Sequence, residues 1–160
     1  MTWQTGHALA ARFGITAWLG IGIVTIMNKH LQEQCLRINI AGSIQAIFNF
    51  CLNPSNSPAW IDGIAEEKTD TWPPALGTVY RNRAAGGEWA TYELTAYDPP
   101  NRFVLSKVPG NFHVEYRFLA LDPGLTEFTY REWVDDAWLE SPFDMANLEK
   151  LKALFESTGS

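Results

Sequence analysis

Between Tyr80 and Val134 the chain runs through five short apolar-rich segments whose connections are too short to hold a helix. The punctuation is Ala85-Gly86-Gly87, Asp98-Pro99-Pro100-Asn101, Pro109-Gly110-Asn111 and Leu121-Asp122-Pro123-Gly124, all turn chemistry. Within the segments the residues alternate with period 2. Phe112, Val114, Tyr116 and Phe118 take one side and His113, Glu115 and Arg117 the other; Phe128 and Tyr130 oppose Glu127, Thr129 and Arg131. Parallel strands need crossovers of a dozen residues or more, so these five must form an antiparallel meander. Its aromatic face requires a cover, either packed solid or enclosing a cavity.

The cover is legible on both sides of the meander. "LQEQCLRINI" from Leu31 predicts a strand with Ile38 and Ile40 on one face. Ser43 can cap a helix bearing Ile44, Ile47, Phe48, Cys51 and Leu52, the stripe of a helix lying on a core, and Asn53-Pro54 stops it. Ser57-Pro58 offers a second helix start, for a short helix carrying Trp60, Ile61 and Ile64. A strand is expected over roughly Ile64 to Thr71, and Trp72-Pro73-Pro74 breaks the chain before the meander. After it, "SPFDMANLEKLKALFE" predicts the longest helix, with Ser141 as cap, Pro142 at N1 and Met145, Leu148, Leu151, Leu154 and Phe155 as its apolar stripe. Thr158-Gly159-Ser160 is the expected stop. Strand, two short helices, six strands and a long helix make an α+β domain, whose seven-stranded sheet can curl around the terminal helix.

The chain has 160 residues, enough for one domain over residues 31–160, preceded by an apolar extension over residues 1–30. In that extension "FGITAWLGIGIVTIM" is uncharged and shorter than the roughly 20 residues of a spanning helix. A membrane anchor, a segment packed on the domain or in a dimer, and an upstream extension foreign to the working protein all remain open; membrane contact through 13–27 is not favoured. The net charge of -6 carries no Lys/Arg cluster, which excludes nucleic acid as a partner. Cys35 and Cys51 are expected to be two buried free thiols, suited to a reducing, cytoplasmic setting.

Chemistry is sparse. His7, His30 and His113 form no spaced metal-ligand set, Cys51 has no histidine to activate it, and the glycines match no phosphate-cradling motif. No metal or other cofactor and no catalytic residue is assigned. The candidates are Tyr80, Tyr92, Tyr116 and Tyr130, beside Leu94, Phe112, Phe118 and Phe128. Each tyrosine either fills the core with its hydroxyl at a rim or points that hydroxyl into a cavity. The opposite strand phase would present Trp89, Glu93, His113, Arg117 and Arg131, an acid/base site for cyclisation or dehydration, but the alternation from Phe112 to Phe118 argues against it. Trp60 is expected to plug the opening and Trp72 to line the entrance. Trp133 and Trp138 are expected to pack under the first turn of the last helix.

The order and spacing of "INIAGSIQAIFNFCLNPSNSPAWIDGI", "GTVYRNR", "YDPPNRFVLS", "YRFLALDPGLTEFTY" and "NLEKLKALFE" resemble the START-like, helix-grip superfamily. That group, also called SRPBCC, includes polyketide cyclase/dehydratase-like proteins and Bet v 1-like pollen-allergen relatives. The resemblance covers roughly Gln32 to Glu156. It implies a curved seven-stranded antiparallel sheet around a long C-terminal helix, two short helices after strand 1, and a deep hydrophobic cavity between sheet and helix. The expected lining is Trp60, Trp72, Tyr80, Tyr92, Leu94, Phe112, Tyr116, Phe118, Phe128, Tyr130, Leu148 and Leu151. The scaffold is nearly silent about function. The leading expectation is binding of a small hydrophobic or amphipathic molecule. The rivals are a cyclase- or dehydratase-type enzyme and an interaction protein with a solid core that forms a homodimer through its N-terminal segment.

Overall fold

The computed structural model describes residues 31–157. The expectations for residues 1–30 and for the stop at Thr158–Ser160 lie outside the described residues. Seven strands form one antiparallel sheet: β1 (Glu33–Ala41), β2 (Glu66–Thr69), β3 (Val79–Arg83), β4 (Ala90–Asp98), β5 (Arg102–Lys107), β6 (Phe112–Asp122) and β7 (Leu125–Val134). Their spatial order is β1-β7-β6-β5-β4-β3-β2, so the meander β3 to β7 is the body of the sheet and β1 closes onto its last strand. Register irregularities between Leu94 and Ala96 and between Ala120 and Asp122 help bend the sheet into a curved half-barrel. The helix α1 (Ile44–Leu52), a 3-10 turn at Pro54–Ala59 and the helix α2 (Met145–Glu156) cover its inner face.

The strands take the phase that the Phe112–Phe118 alternation favours. Leu36, Ile38 and Ile40 on β1 sit opposite Tyr130, Phe128 and Thr126 on β7, while Tyr116 and Phe118 on β6 sit opposite Tyr130 and Phe128. Glu93, His113, Arg117 and Arg131 therefore occupy the outer face, and no acid/base site built from them exists inside. Local chemistry explains the helix ends. Ser43 caps α1, its hydroxyl accepting from Ala46 N–H at 3.2 Å, and the Asn53 side chain accepts from Ser55 N–H at 3.1 Å to start the 3-10 turn.

Four sequence expectations need correction. The second short helix starts at Pro54 rather than Ser57-Pro58, because the cap is the Asn53 side chain, and Trp60 lies just beyond its end. The last helix starts at Met145 with Asp144 as cap, its carboxylate accepting from Ala146 N–H at 2.9 Å. Ser141, Pro142 and Phe143 stay non-helical because Phe143 is held from outside: Glu132 accepts its N–H at 2.6 Å and Gln34 donates to its carbonyl at 2.6 Å. Leu154 is exposed rather than part of a buried stripe; Leu148 and Leu151 are fully buried and Met145 and Phe155 half-buried. Cys51 is buried but Cys35, on the outer side of β1, is exposed.

The interior is divided along the strands. At one end Phe48 of α1 wedges edge-on between Phe103 and Phe118 at centroid distances of 5.6 and 5.4 Å, and Phe118 stacks on Phe128 at 5.0 Å. Each such fully buried ring contributes roughly 1.5–3 kcal/mol of hydrophobic stabilisation. Gly42 lets this end close: a Cβ there would stand 3.2 Å from Ile47 and 3.3 Å from Phe155, joining β1, α1 and α2. At the other end Trp60 packs edge-on against Tyr116, Phe128 and Phe143, and a space remains beside Phe143.

Candidate functional site

That space is a half-open pocket of about 240 Å³ bounded by inner-face residues of the sheet and by the links on either side of the meander. Tyr92, Leu105, Phe112, Tyr116, Tyr130 and Glu132 come from β4 to β7. Glu67 and Asn82 come from β2 and β3, Ile61, Gly63 and Ile64 from the segment after the 3-10 turn, and Ser141 and Phe143 from the approach to α2. Phe143 forms a wall: its ring stacks on Tyr130 at 4.0 Å and meets Trp60 edge-on at 6.1 Å.

Two carboxylates belong to this lining. Glu132 is 3 % exposed, and its carboxylate accepts the Phe143 N–H at 2.6 Å and a 3.4 Å contact from the Gln34 amide. Burial raises its pKa above the ordinary 4.5, against the pull of those donors. Glu67 accepts from Ser57 Oγ at 3.0 Å and Asn82 Nδ2 at 3.1 Å, and burial again outweighs these bonds and raises its pKa. Burial likewise raises Tyr92, Tyr116 and Tyr130, with Glu67 adding to the first two and Glu132 to the third, so all three phenols stay neutral. The pocket thus mixes aromatic and aliphatic walls with carboxyls and phenols, and among the described residues no Lys, Arg or His lines it.

The sequence candidates fall into three groups. Tyr92, Phe112, Tyr116 and Tyr130 line the cavity. Tyr80, Leu94, Phe118, Phe128, Leu148 and Leu151 are buried in the core, and the Tyr80 hydroxyl donates to the Leu52 carbonyl at 3.0 Å, capping the end of α1. Trp60 is buried among Tyr116, Phe128 and Phe143 rather than at an opening. Trp72 is 54 % exposed and lines a surface groove with Asn53, Ser55, Glu67 and Lys68, and Glu67 is shared between that groove and the pocket. Neither Trp133 nor Trp138 packs under the last helix as a buried anchor. Trp133 stacks on His113 at 4.9 Å with Arg131 over its ring, and Trp138 is exposed.

Sequence reasoning missed Glu67, Glu132 and Phe143. Glu132 continues the i, i+2 series of Phe128 and Tyr130, a signal present in the alternation. Glu67 sits in "EEKT", which has no apolar alternation at all, and only the curl of the sheet brings it inside.

The outer face carries two further polar constellations. Glu115, 2 % exposed, accepts from Arg102 and from Arg117 Nη2 at 3.0 Å, with Arg131 Nη1 at 3.8 Å. Burial would raise this carboxyl, but the guanidinium bonds win and lower it. These groups floor an open groove of about 640 Å³. Ser106 Oγ lies 2.8 Å from both Thr95 Oγ1 and His113 Nδ1, and His113 Nε2 lies 2.9 Å from Asp135 Oδ2. The residue types are those of a nucleophile relay, but Ser106 is 8 % exposed and lines none of the cavities above. The chain of bonds ties β4, β5, β6 and the segment after β7 together. Among the described residues no group of three His, Cys, Asp or Glu side chains could hold a metal ion, and no helix is long and apolar enough to cross a membrane.

Comparison with known proteins agrees with this architecture. Similar solved structures include a START superfamily protein from Mycobacterium smegmatis, 14% identical, with a TM-score of 0.58 over 79% of this chain and 98% of that one. The Aha1 dimer from Colwellia psychrerythraea is 16% identical, with a TM-score of 0.57 over 81% of this chain and 100% of that one. The di-domain ARO/CYC StfQ from the steffimycin biosynthetic pathway is 12% identical, with a TM-score of 0.57 over 79% of this chain and 51% of that one. At these identities the likeness shows the fold alone. No curated protein matches the chain. The family model for "Polyketide cyclase / dehydrase and lipid transport" matches residues 36–156. With this match and the cavity-forming helix-grip fold typical of proteins that bind small hydrophobic or lipid ligands, the chain belongs to the polyketide cyclase/dehydrase and lipid transport family.

Proposed function

We propose that this protein binds a small hydrophobic or amphipathic molecule in the chamber between the curved sheet and the approach to α2. The observation that carries this reading is the division of the interior: one end is filled by Phe48, while the other leaves about 240 Å³ walled by Tyr92, Phe112, Tyr116, Tyr130 and Phe143. Ligand sites are ordinarily concave, with apolar walls and a few convergent polar groups, and this pocket combines aromatic walls with a comparable polar lining. Its size favours a compact ligand over a two-chain lipid. The test is native mass spectrometry of gently purified full-length protein, followed by organic extraction and titration with the neutral dye Nile red. A retained apolar mass, or saturable dye binding weakened by Tyr116→Trp, is expected. Neither a retained mass nor dye binding would sink the reading.

An enzyme reading has one observation in its favour. Glu67 and Glu132 are carboxyls held above their ordinary pKa at a pocket with aromatic walls, a condition that suits general acid/base work on an enolisable substrate. Turnover of a poly-β-ketone thioester that disappears in both Glu67→Gln and Glu132→Gln would establish it. Association into a homodimer is supported by the similarity to the Aha1 dimer. Light scattering of the full chain and of a chain starting at Leu31 tests it and assigns any role of the N-terminal segment. The free thiols Cys35 and Cys51 suit a reducing, cytoplasmic setting.

A further inference from the structure

Tyr80 and Tyr116 are both buried in the sheet and differ in one respect. Tyr80 donates its hydroxyl to the Leu52 carbonyl at 3.0 Å. Tyr116 is 7 % exposed, and its hydroxyl bonds to no described residue. Among the described residues, the side-chain polar atom sealed from solvent without a partner is Trp60 Nε1. The Tyr116 hydroxyl is therefore not sealed in the core but open to the pocket that Tyr116 lines. Buried donors are ordinarily matched to an acceptor, so one left open at a pocket points to an acceptor on a ligand. The ring itself is committed to packing. It stacks on Phe103 at 4.4 Å and meets Tyr130 and Trp60 edge-on at 5.5 and 6.2 Å, and β6 is paired on both sides at this position. These neighbours fix the hydroxyl in place before any ligand arrives, which lowers the ordering cost of using it. Burial holds the phenol neutral, its pKa well above the ordinary value. What Tyr116 offers is an O–H and no charge.

Resting on the ligand-binding reading above, we propose that Tyr116 is the specificity-determining residue of the pocket, its hydroxyl donating to the carbonyl oxygen of a compact, neutral, apolar ligand such as an aryl ketone. Other polar groups of the lining are engaged elsewhere or lie nearer the rim. Glu132 accepts the Phe143 N–H, Glu67 accepts from Ser57 and Asn82, and Tyr92 is only half-buried. Tyr130 has the Glu132 carboxyl as a neighbour. An anionic ligand would stand beside Glu67 and Glu132, and a pure hydrocarbon would cover the Tyr116 O–H without giving it an acceptor. A carbonyl accepts the bond and brings no charge.

The experiment pairs acetophenone with α-methylstyrene, which keeps the planar shape and replaces the carbonyl oxygen by a methylene group. Each is used to displace Nile red from the full-length protein, with the dye's own Kd measured separately for wild type and for Tyr116→Phe. The substitution keeps the packed ring and removes only the hydroxyl. It should weaken acetophenone by roughly three- to tenfold and leave α-methylstyrene within about twofold. Infrared spectroscopy of the wild-type complex reads the same bond without a variant: the acetophenone C=O stretch should lie below its value in an alkane solvent. Equal weakening of both compounds, no weakening of acetophenone, or an alkane-like C=O stretch in the wild-type complex would each overturn the proposal. Nile red binding that acetophenone does not displace would overturn it too, while leaving the ligand-binding reading in place. Absence of both Nile red binding and a retained mass would overturn that reading, and this one with it.

Discussion

Glu132→Leu, read against Glu132→Gln, tests how the cavity is walled. Glu132 holds Phe143 N–H at 2.6 Å and stands beside the Gln34 amide at 3.4 Å, and Phe143 in turn stacks on Tyr130. Leucine removes the acceptor and leaves Phe143 N–H unpaired, a loss of about 1.5–3 kcal/mol for a bond to a charged group. The buried carboxylate's desolvation is relieved at the same time, which offsets part of that loss. The net destabilisation is expected at roughly 1–2 kcal/mol, a fall in Tm of about 2–8 °C for a chain of this size. Glutamine keeps an acceptor for Phe143 N–H and should stay within about 0.5 kcal/mol of wild type under acidic conditions. The pH dependence has a definite sign. The folded-state pKa of Glu132 lies above its unfolded value, so its contribution is fully present below about 4.5 and is lost as pH rises through the folded value. Glutamine does not titrate, and its stability relative to wild type therefore rises from pH 4 to pH 8. Urea unfolding of the three proteins at pH 4, 6 and 8 reads this directly. A difference between Gln and wild type that does not change with pH would refute the claim that burial raises the Glu132 pKa. A Leu variant as stable as wild type would refute the tether to Phe143.

Glu115 should behave oppositely. Its pKa is held low by Arg102 and Arg117, so its contribution is present above the unfolded pKa and is lost as pH falls through the folded value. Glu115→Gln should therefore cost more at pH 7 than at pH 3, measured by the same unfolding series. Leu148→Ala, at a fully buried position of α2, should destabilise by about 2–5 kcal/mol and lower the urea midpoint without changing the fold seen by circular dichroism. Gly42→Ala places a Cβ 3.2 Å from Ile47, and overpacking of about 1–3 kcal/mol is expected from thermal unfolding. Trp72→Ala, at an exposed position outside the inner cavity, should change stability by less than about 0.5 kcal/mol and leave Nile red binding intact.

By itself the sequence determined the strand alternation from Tyr80 to Val134, the antiparallel order enforced by short turns, the stripe of α1, and the buried positions Leu148 and Leu151 of α2. These are local signals: period 2, period 3.6 and turn residues act over neighbours a few positions apart. That is why β3 to β7 and α1 could be read directly, and why Phe112, Tyr116, Phe128 and Tyr130 could be placed on one face. The start of α2 could not. Ser141-Pro142 has the local chemistry of a helix start, but Glu132 and Gln34 hold Phe143 from distant strands. Tertiary structure also decided which aromatics fill and which line, since Phe48 reaches Phe103 and Phe118 but not the end where Tyr116 and Tyr130 stand. Glu67 is the plainest case. Nothing in "EEKT" marks an inward carboxylate, and it faces the same chamber as Glu132 because the sheet curls far enough to bring β2 and β7 around a single space. Alternation assigns a side chain to a face of a sheet; only the curvature of that sheet decides which residues on the face meet.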